Sequence, residues 1–278
     1  MSGYRYEYVT FLSDYGLSDE FVGVCHGVML SIAPEVKIID ITHGIQPQNI
    51  REGAMILAQS VRFMPKAVHL AIIDPSVGSL RKSLVIETGD GSALVGPDNG
   101  LLAMAAMKLG GATACREIAN ADLMITPPSK TFHGRDIFAP AAAHLAKGVP
   151  IAEFGPEVPV ASLVAEAIPQ PRLHDDHYHA EVLHIDRFGN VQLNVTKEEM
   201  TAIGLPPKSL LEVRIEGHRK MVMYGETFSA VADGELVVTE DSYGLLAVAV
   251  NKGRAAEAFG AQIGSSAIIG APGSGAAD

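Results

Sequence analysis

The sequence predicts an α/β N-terminal domain with a mostly parallel sheet, followed by a small all-β C-terminal domain, a barrel or a sandwich. Three observations predict it. Short apolar, strand-like runs alternate with helix-like runs through the first half, the pattern of strands joined by crossover helices. Ile168-Pro169-Gln170-Pro171 then breaks the pattern, because prolines resist helix and favour an extended linker. Beyond it come many short strand-like runs separated by turn residues. The boundary falls near residue 170, giving domains 1–170 and 171–278. A chain of 278 residues has room for about two domains.

The first strand is Tyr8-Val9-Thr10-Phe11-Leu12, ending at Ser13-Asp14-Tyr15-Gly16. A helix is expected from Asp19 to Ile32, with Ser18 as its N-cap and Pro34 just past its end. Val36 to Ile41 is a β-branched run closed by His43-Gly44, and Asn49 to Phe63 reads as a second helix stopped near Pro65. Val68 to Ile73 is a buried strand ending at Asp74-Pro75. Ser83 to Glu87 and Ala93 to Val95 flank Gly89-Asp90-Gly91, a hairpin signal. Helices are expected from about Gly100 to Lys108 and from Ile137 to Lys147, the latter closed by Gly148. In the second half, strands are expected over 178–185, 191–195, 210–215, 220–224, 235–239, 245–250 and 267–269.

Composition excludes several classes. Apolar residues make up 47% and charged residues 19%, which is core-forming material rather than disorder. The net charge of −11 makes the chain a poor partner for a phosphate backbone, so no nucleic acid is expected. No run approaches the roughly 18 apolar residues of a membrane span. The N-terminus has no signal-peptide pattern. Cys25 and Cys115 read as buried small hydrophobes in a reducing cytoplasm.

Ligands of open α/β sheets bind beyond the carboxyl ends of the strands. Asp14, Asp40 and Asp74 fall at such ends. A single strand-end Asp is ordinarily a cap or turn former, but Asp14 and Asp74 at like ends point to a site. Arg81 lies seven residues after Asp74 and can reach back to hold it ionised, a pairing that alone reads equally well as an ordinary loop salt bridge. Thr131-Phe132-His133-Gly134-Arg135-Asp136 precedes an Ala-rich helix. An Asp–His pair closed by an Arg makes a base that needs no metal. The tract His174-Asp175-Asp176-His177-Tyr178-His179 looks metal-binding, but its place beside the linker reads as a solvated connector. Asp186-Arg187-Phe188-Gly189-Asn190 and Asp241-Ser242-Tyr243-Gly244 read as turns. No dinucleotide, Walker, nucleophile-elbow or zinc-protease motif occurs.

Taken in order, these segments resemble one family. Phe11-Leu12-Ser13-Asp14-Tyr15-Gly16, Asp40-Ile41-Thr42-His43 and Asp74-Pro75-Ser76-Val77-Gly78 carry the resemblance. So do Gly96-Pro97-Asp98-Asn99-Gly100-Leu101-Leu102, the Thr131–Asp136 motif, Asp186–Asn190, Ser242-Tyr243-Gly244 and Asn251. The chain resembles the S-adenosyl-L-methionine (SAM) hydroxide adenosyltransferases, water-using relatives of the SAM-dependent fluorinase and chlorinase. The resemblance runs from about residue 8 to 270.

It implies an α/β domain, a β-barrel domain, and a homotrimer with SAM held between subunits. It implies displacement at the ribose C5′ of SAM by water or hydroxide, giving adenosine and L-methionine. SAM is then the substrate, with no cofactor and no metal. The family's catalytic set falls on Asp74, Arg81 and His133. Asp14 is implied to hold the ribose hydroxyls. Asp19, Phe132 and Gly134 complete the N-terminal contacts. Asp186, Phe188, Asn190, Ser242 and Tyr243 line the methionine and base ends, and Asn251 reads the adenine edge. Gln48 stands where relatives carry an aromatic, and Tyr243 where the fluorinase has a basic residue.

The chemistry suits these residues. A sulfonium departs as a neutral thioether, so no general acid is required, and the difficulty lies in making a nucleophile of water. A halogenase is the first competing reading, opposed by Asp74 and His133. A non-catalytic SAM or adenosine sensor is the second, opposed by the complete Asp74, Arg81, His133 set.

Overall fold

The alternating apolar runs of the first unit form six strands: β1 (Tyr8–Ser13), β2 (Lys37–Thr42), β3 (Val68–Ile72), β4 (Ser83–Thr88), β5 (Ala93–Pro97) and β6 (Ala112–Glu117). The structure, a computed structural model, describes residues 4–166 and 169–273. It divides into two compact units, Met1–Ala167 and Ile168–Asp278. In the first, the strand order is β2-β1-β3-β5-β4-β6. β2, β1, β3 and β5 run parallel, while β4 is antiparallel to both its neighbours. Every residue of β3 and β5 is buried, as a sheet covered on both faces requires.

Side chains alternate across β1, and the alternation builds two cores. Phe11 faces Val22, Cys25 and Met29 of α1 (Phe21–Ile32) and the alanines of α4 (Ala139–Lys147). Leu12 faces Ala54 and Leu57 of α2 (Ile50–Ser60) and Ala105 of α3 (Ala103–Lys108). Both cysteines are free and buried, Cys25 in the first core and Cys115 in the second.

Element boundaries move in instructive ways. α1 starts at Phe21, and its N-cap, Glu20, makes no side-chain capping bond, so Ser18 does not cap it. α2 does have the side-chain cap that defines a helix start, Asn49 accepting from the Glu52 amide at 3.1 Å. α3 starts three residues later than expected, because Asn99 spends its side chain on the Ile73 carbonyl and the Leu101 amide. β6 was not anticipated, since Ala-Thr-Ala-Cys-Arg-Glu has little β-branched content. The Ala-rich helix is preceded by a wide π-type turn, Gly134–Phe138, rather than starting cleanly at Ile137.

The second unit is a barrel rather than a sandwich. Its strands are β7 (Arg172–His174), β8 (His177–Ile185), β9 (Val191–Thr196), β10 (Leu210–Ile215), β11 (His218–Tyr224), β12 (Leu236–Glu240), β13 (Leu245–Val250) and β14 (Ser266–Gly270). The pairing runs β14-β10-β11-β12-β13-β9-β8, and β14 also pairs with β8, so seven strands close on themselves. Closure removes the exposed edges of an open sheet. Two short helices, α5 (Lys197–Ala202) and α6 (Ala255–Phe259), contribute Met200 and Phe259 to the barrel core. The histidine tract is not a solvated connector. It is a hairpin, with His174 opposite His177 and Arg172 opposite His179 across a turn at left-handed Asp175. Of the expected linker, Ile168 lies outside the described residues, and residues 169–171 have no regular secondary structure.

One buried group gives the fold a pH dependence. His69 on β3 is fully buried and shares a 2.8 Å hydrogen bond with Thr10 on β1. Its Nε2 has no partner among the described residues. Burial holds its pKa down to about 4, against an ordinary 6.5, with a small opposing effect from Asp90. A depressed histidine contributes stability that is complete above about pH 6.5 and is lost as pH falls toward 4, because the unfolded chain takes up the proton first. That difference corresponds to about 3 kcal/mol. Unfolding free energies measured from pH 7 to 4 are expected to fall by about this much more in the wild type than in a Thr10→Val/His69→Leu double variant. Equal slopes would exclude His69 as the source.

Candidate active site

The order β2-β1-β3 places a topological switch point between β1 and β3. The chain leaves β1 for β2 through α1 on one face, then crosses to β3 through α2 on the other. A cavity of about 360 Å³ opens at the carboxyl ends of these strands. Asp14 and Asp74 line it from the strand ends, and Phe132, His133 and Gly134 line it from the loop before α4.

Two glycines bring that loop in. A Cβ on Gly134 would lie 2.1 Å from the Tyr15 hydroxyl oxygen. Gly78 has a φ of +79° and stands against the Lys130 carbonyl, where a Cβ would come within 2.7 Å. The Gly78 approach is open only to a residue without a side chain, and one at Gly134 would displace the Tyr15 ring.

Arg81 is the hub. Its Nε lies 3.0 Å from each Asp74 carboxylate oxygen, and its Nη2 donates to Oδ2 at 2.5 Å. Nη1 donates to Ser83 Oγ at 2.7 Å, and the guanidinium carbon stands 5.1 Å from the Phe138 ring centre. The two charged side chains are only 8% and 6% exposed, so this is a desolvated, multiply bonded pair rather than a surface ion pair. Arg81 itself does not line the cavity; it acts through its partners.

The same Nη2 stands 2.7 Å from His133 Nδ1. A guanidinium only donates, so Nδ1 must accept, and the neutral imidazole carries its proton on Nε2. Burial, and then the Arg81 charge, hold the His133 pKa below the ordinary histidine value. His133 is thus a neutral ring with one N–H, on Nε2, and a hydrogen bond with the Ser129 backbone acts on the same ring.

Asp14 accepts the Gln48 backbone N–H at 2.8 Å. Gln48 adopts a φ of +66°, uncommon for a residue with a side chain, and this bond helps anchor it there. Burial raises the Asp14 pKa, and the Gln48 N–H opposes the rise. Tyr15, Phe21 and Phe132 form an aromatic wall with ring centres 5.2–5.9 Å apart. Burial raises the Tyr15 pKa, which keeps its hydroxyl protonated.

The structure also sorts the remaining candidates. Asp19 is exposed ahead of α1 and does not line the cavity. Asp40 turns to His26 and His43 instead. Arg135 pairs with its neighbour Asp136, whose carboxylate holds the Ser129 amide at 2.7 Å, so that pair shapes the loop. Sequence reasoning did not single out Tyr15, Phe21, Ser83 or the Gln48 amide. Tyr15 carried a signal, because it follows Asp14 within a recognised motif.

In the second unit, Asp186 and Asn190 are engaged within their own turn. Asp186 Oδ1 accepts the amides of Phe188 and Asn190, both at 2.9 Å, and Oδ2 accepts Asn190 Nδ2 at 2.8 Å. Asp241 repeats the device with the amides of Tyr243 and Leu245, at 2.8 and 3.1 Å. Each turn presents an exposed aromatic, Phe188 or Tyr243; Ser242 is exposed beside the latter. Asn251 donates its side-chain amide to the Val231 carbonyl at 2.9 Å.

Comparison with known proteins gives this arrangement its relatives. The model of the SAM hydroxide adenosyltransferase N-terminal domain matches residues 9–155, and that of the C-terminal domain matches residues 180–268. This chain belongs to the SAM hydroxide adenosyltransferase family. A relative from Salinispora tropica, named (R)-S-adenosyl-L-methionine hydrolase, is 48% identical over 91% of this chain and 94% of its own. A Thermus thermophilus protein of the same name is 40% identical over 92% and 96%. A fluorinase from Nocardia brasiliensis is more distant, at 28% over 94% and 96%. Among solved structures, a conserved Thermotoga maritima protein superposes with a TM-score of 0.87 at 36% identity, covering 94% of this chain and 99% of that one. The family's α/β domain and β-barrel are both present here. Among the described residues, no helix is long and apolar enough to cross a membrane.

Proposed function

We propose that this protein hydrolyses SAM to adenosine and L-methionine, by attack of water or hydroxide on the ribose C5′. The observation that carries the reading is the Asp74–Arg81–His133 linkage at the cavity wall. The names of its relatives support the (R)-sulfonium epimer as the substrate.

In this reading Nε2–H of His133 donates to the attacking water and fixes its oxygen. Asp74 accepts the proton that the water loses. The new bond is O–C5′, and the C5′–S bond breaks with its electron pair passing to sulfur, which leaves as a neutral thioether. The proton then passes from Asp74 to solvent. His133 is therefore an orienting donor rather than a base, since Arg81 already occupies its Nδ1. Arg81 is a positioning residue. Asp14 holds the ribose, and the aromatic wall keeps the nucleophile's surroundings dry, which strengthens alignment. Reaction in ¹⁸O-labelled water, with and without chloride, tests this. The label is expected on the adenosine C5′ oxygen, with hydrolysis dominant in molar chloride. Unlabelled adenosine, or a 5′-halo nucleoside as the main product, would overturn it in favour of halogenation.

The homotrimer and the cytoplasmic location belong to the same proposal. Free, buried cysteines suit a reducing compartment. In a trimer, Asp186, Phe188, Asn190, Ser242, Tyr243 and Asn251 of one subunit complete the Asp14 cavity of its neighbour. Inactive Asp14→Ala and inactive Asn251→Ala chains, mixed into common oligomers, are expected to regain part of the activity, because some interfaces carry both intact halves. Absence of recovery in verified mixed oligomers would exclude a shared site.

A further inference from the structure

His26, Asp40 and His43 come together outside the cavity, at the carboxyl end of β2. His26 lies on α1, Asp40 near the end of β2, and His43 just beyond it. His26 Nε2 is 2.9 Å from Asp40 Oδ1, and His43 Nε2 is 3.1 Å from the same oxygen. One donor atom from each residue lies within 4.8 Å of the other two.

His43 is the informative member. Its side chain is only 2% exposed, yet its Nε2 makes no aligned hydrogen bond, despite its closeness to Asp40. Its Nδ1 is 2.8 Å from Ser13 Oγ. With the proton on Nε2, that N–H points poorly at its carboxylate neighbour. With the proton on Nδ1, held by Ser13, the Nε2 lone pair is buried 3.1 Å from a carboxylate oxygen but aimed to one side of it. A cation between the two groups resolves the second arrangement, and a hydrogen bond to the other ring nitrogen is how a metal-binding histidine is usually held.

We propose that His26, Asp40 and His43 bind one Zn²⁺ ion through Nε2, Oδ1 and Nε2. Two imidazoles and a carboxylate are a borderline-soft donor set that suits zinc better than magnesium or calcium. Zinc–ligand bonds of about 2.0–2.1 Å place tetrahedral donors roughly 3.3 Å apart, close to the two spacings at Asp40. His26 and Asp40 are 28% and 41% exposed, which leaves the fourth position to water. None of the three ligands lines the cavity, and the ion takes no part in the reaction. It braces residues 13–16: Ser13 Oγ also accepts the Tyr15 amide at 3.3 Å, and the Gly16 amide donates to the His43 carbonyl at 2.8 Å. Asp14 lies inside that brace.

Metal-stripped full-length protein, dialysed against Zn²⁺ and analysed for bound metal, tests the assignment. The wild type is expected to hold one equivalent per chain and to gain thermal stability with Zn²⁺. His26→Gln and Asp40→Asn, both at partly exposed positions, are expected to bind at least about tenfold more weakly and to lose the thermal shift. His26→Cys, which restores a ligand, is expected to recover binding. The histidines of the β7–β8 hairpin, whose rings lie 5.1–6.0 Å apart, are the competing zinc ligands. A His174→Gln/His177→Gln/His179→Gln variant is expected to keep the equivalent. No stoichiometric uptake by the wild type, or uptake abolished only in the hairpin variant, would overturn the proposal.

Discussion

Asp74→Asn is expected to lower kcat by about 10²–10⁴-fold, the range for removal of a positioned proton acceptor. The amide is nearly isosteric and can still accept from Arg81, so the geometry changes little while the basicity is lost. The substitution also leaves the Arg81 guanidinium, 8% exposed, without its counter-charge. Removing one partner of a buried pair costs about 3–5 kcal/mol, so stability must be measured alongside the rate. An Asp74→Ala/Arg81→Met double variant separates the two effects. It is expected to recover much of the lost stability, because no unpaired charge remains buried, and none of the lost turnover. Wild-type kcat in a folded Asp74→Asn protein would exclude Asp74 as the proton acceptor.

His133→Ala is expected to lower kcat by about 10²-fold or more while leaving adenosine affinity nearly unchanged, because the bond to the nucleophile tightens mainly in the transition state. His133→Asn distinguishes an orienting donor from a base. The Asn amide can donate but cannot take up a proton, so it is expected to retain more activity than Ala. Equal losses in the two variants would favour a base. The pH profile adds an independent check. Protonation of His133 at Nδ1 would displace the Arg81 bond, so activity is expected to fall only below the depressed pKa of this ring, at a pH under the ordinary histidine value of 6.5. That acid limb should be absent in His133→Asn.

The order of elements was legible in the sequence, because the strands β1 to β5 and the helices of the first unit leave a local imprint. β1 and β3 are short apolar runs, each followed within two residues by an acid, Asp14 or Asp74, that lines the cavity. Gly148 closes α4 at a φ of +103°, as its position after the Ala-rich run implied. The hairpin at Gly89-Asp90-Gly91 and the strands of the barrel follow from turn chemistry and β-branched content. β6 leaves no such imprint, because Ala-Thr-Ala-Cys-Arg-Glu is poor in strand formers and packing selects its conformation. The two short barrel helices do leave one, in the Thr196/Glu199 capping box of α5 and in the Ala-rich run of α6 closed by Gly260.

What the tertiary structure decided is which polar groups meet. Arg81 and Arg135 are both within reach of an Asp in the sequence, but the turn after β3 delivers Arg81 to Asp74 and His133, while Arg135 closes on Asp136. The donor at His133 Nδ1, and with it the tautomer, depends on a contact between residues 52 apart. Asp186 holds its own turn together by accepting the amides of Phe188 and Asn190, a role only the folded loop displays. His26 and His43 carry no joint signal along the chain, because a helix and a strand separate them before the parallel register of β1 and β2 brings them to one oxygen. Hydrophobic pattern is a local property and can be read along the chain. Hydrogen-bond partnership between distant residues depends on strand order, crossover and register, which exist only once the chain has folded.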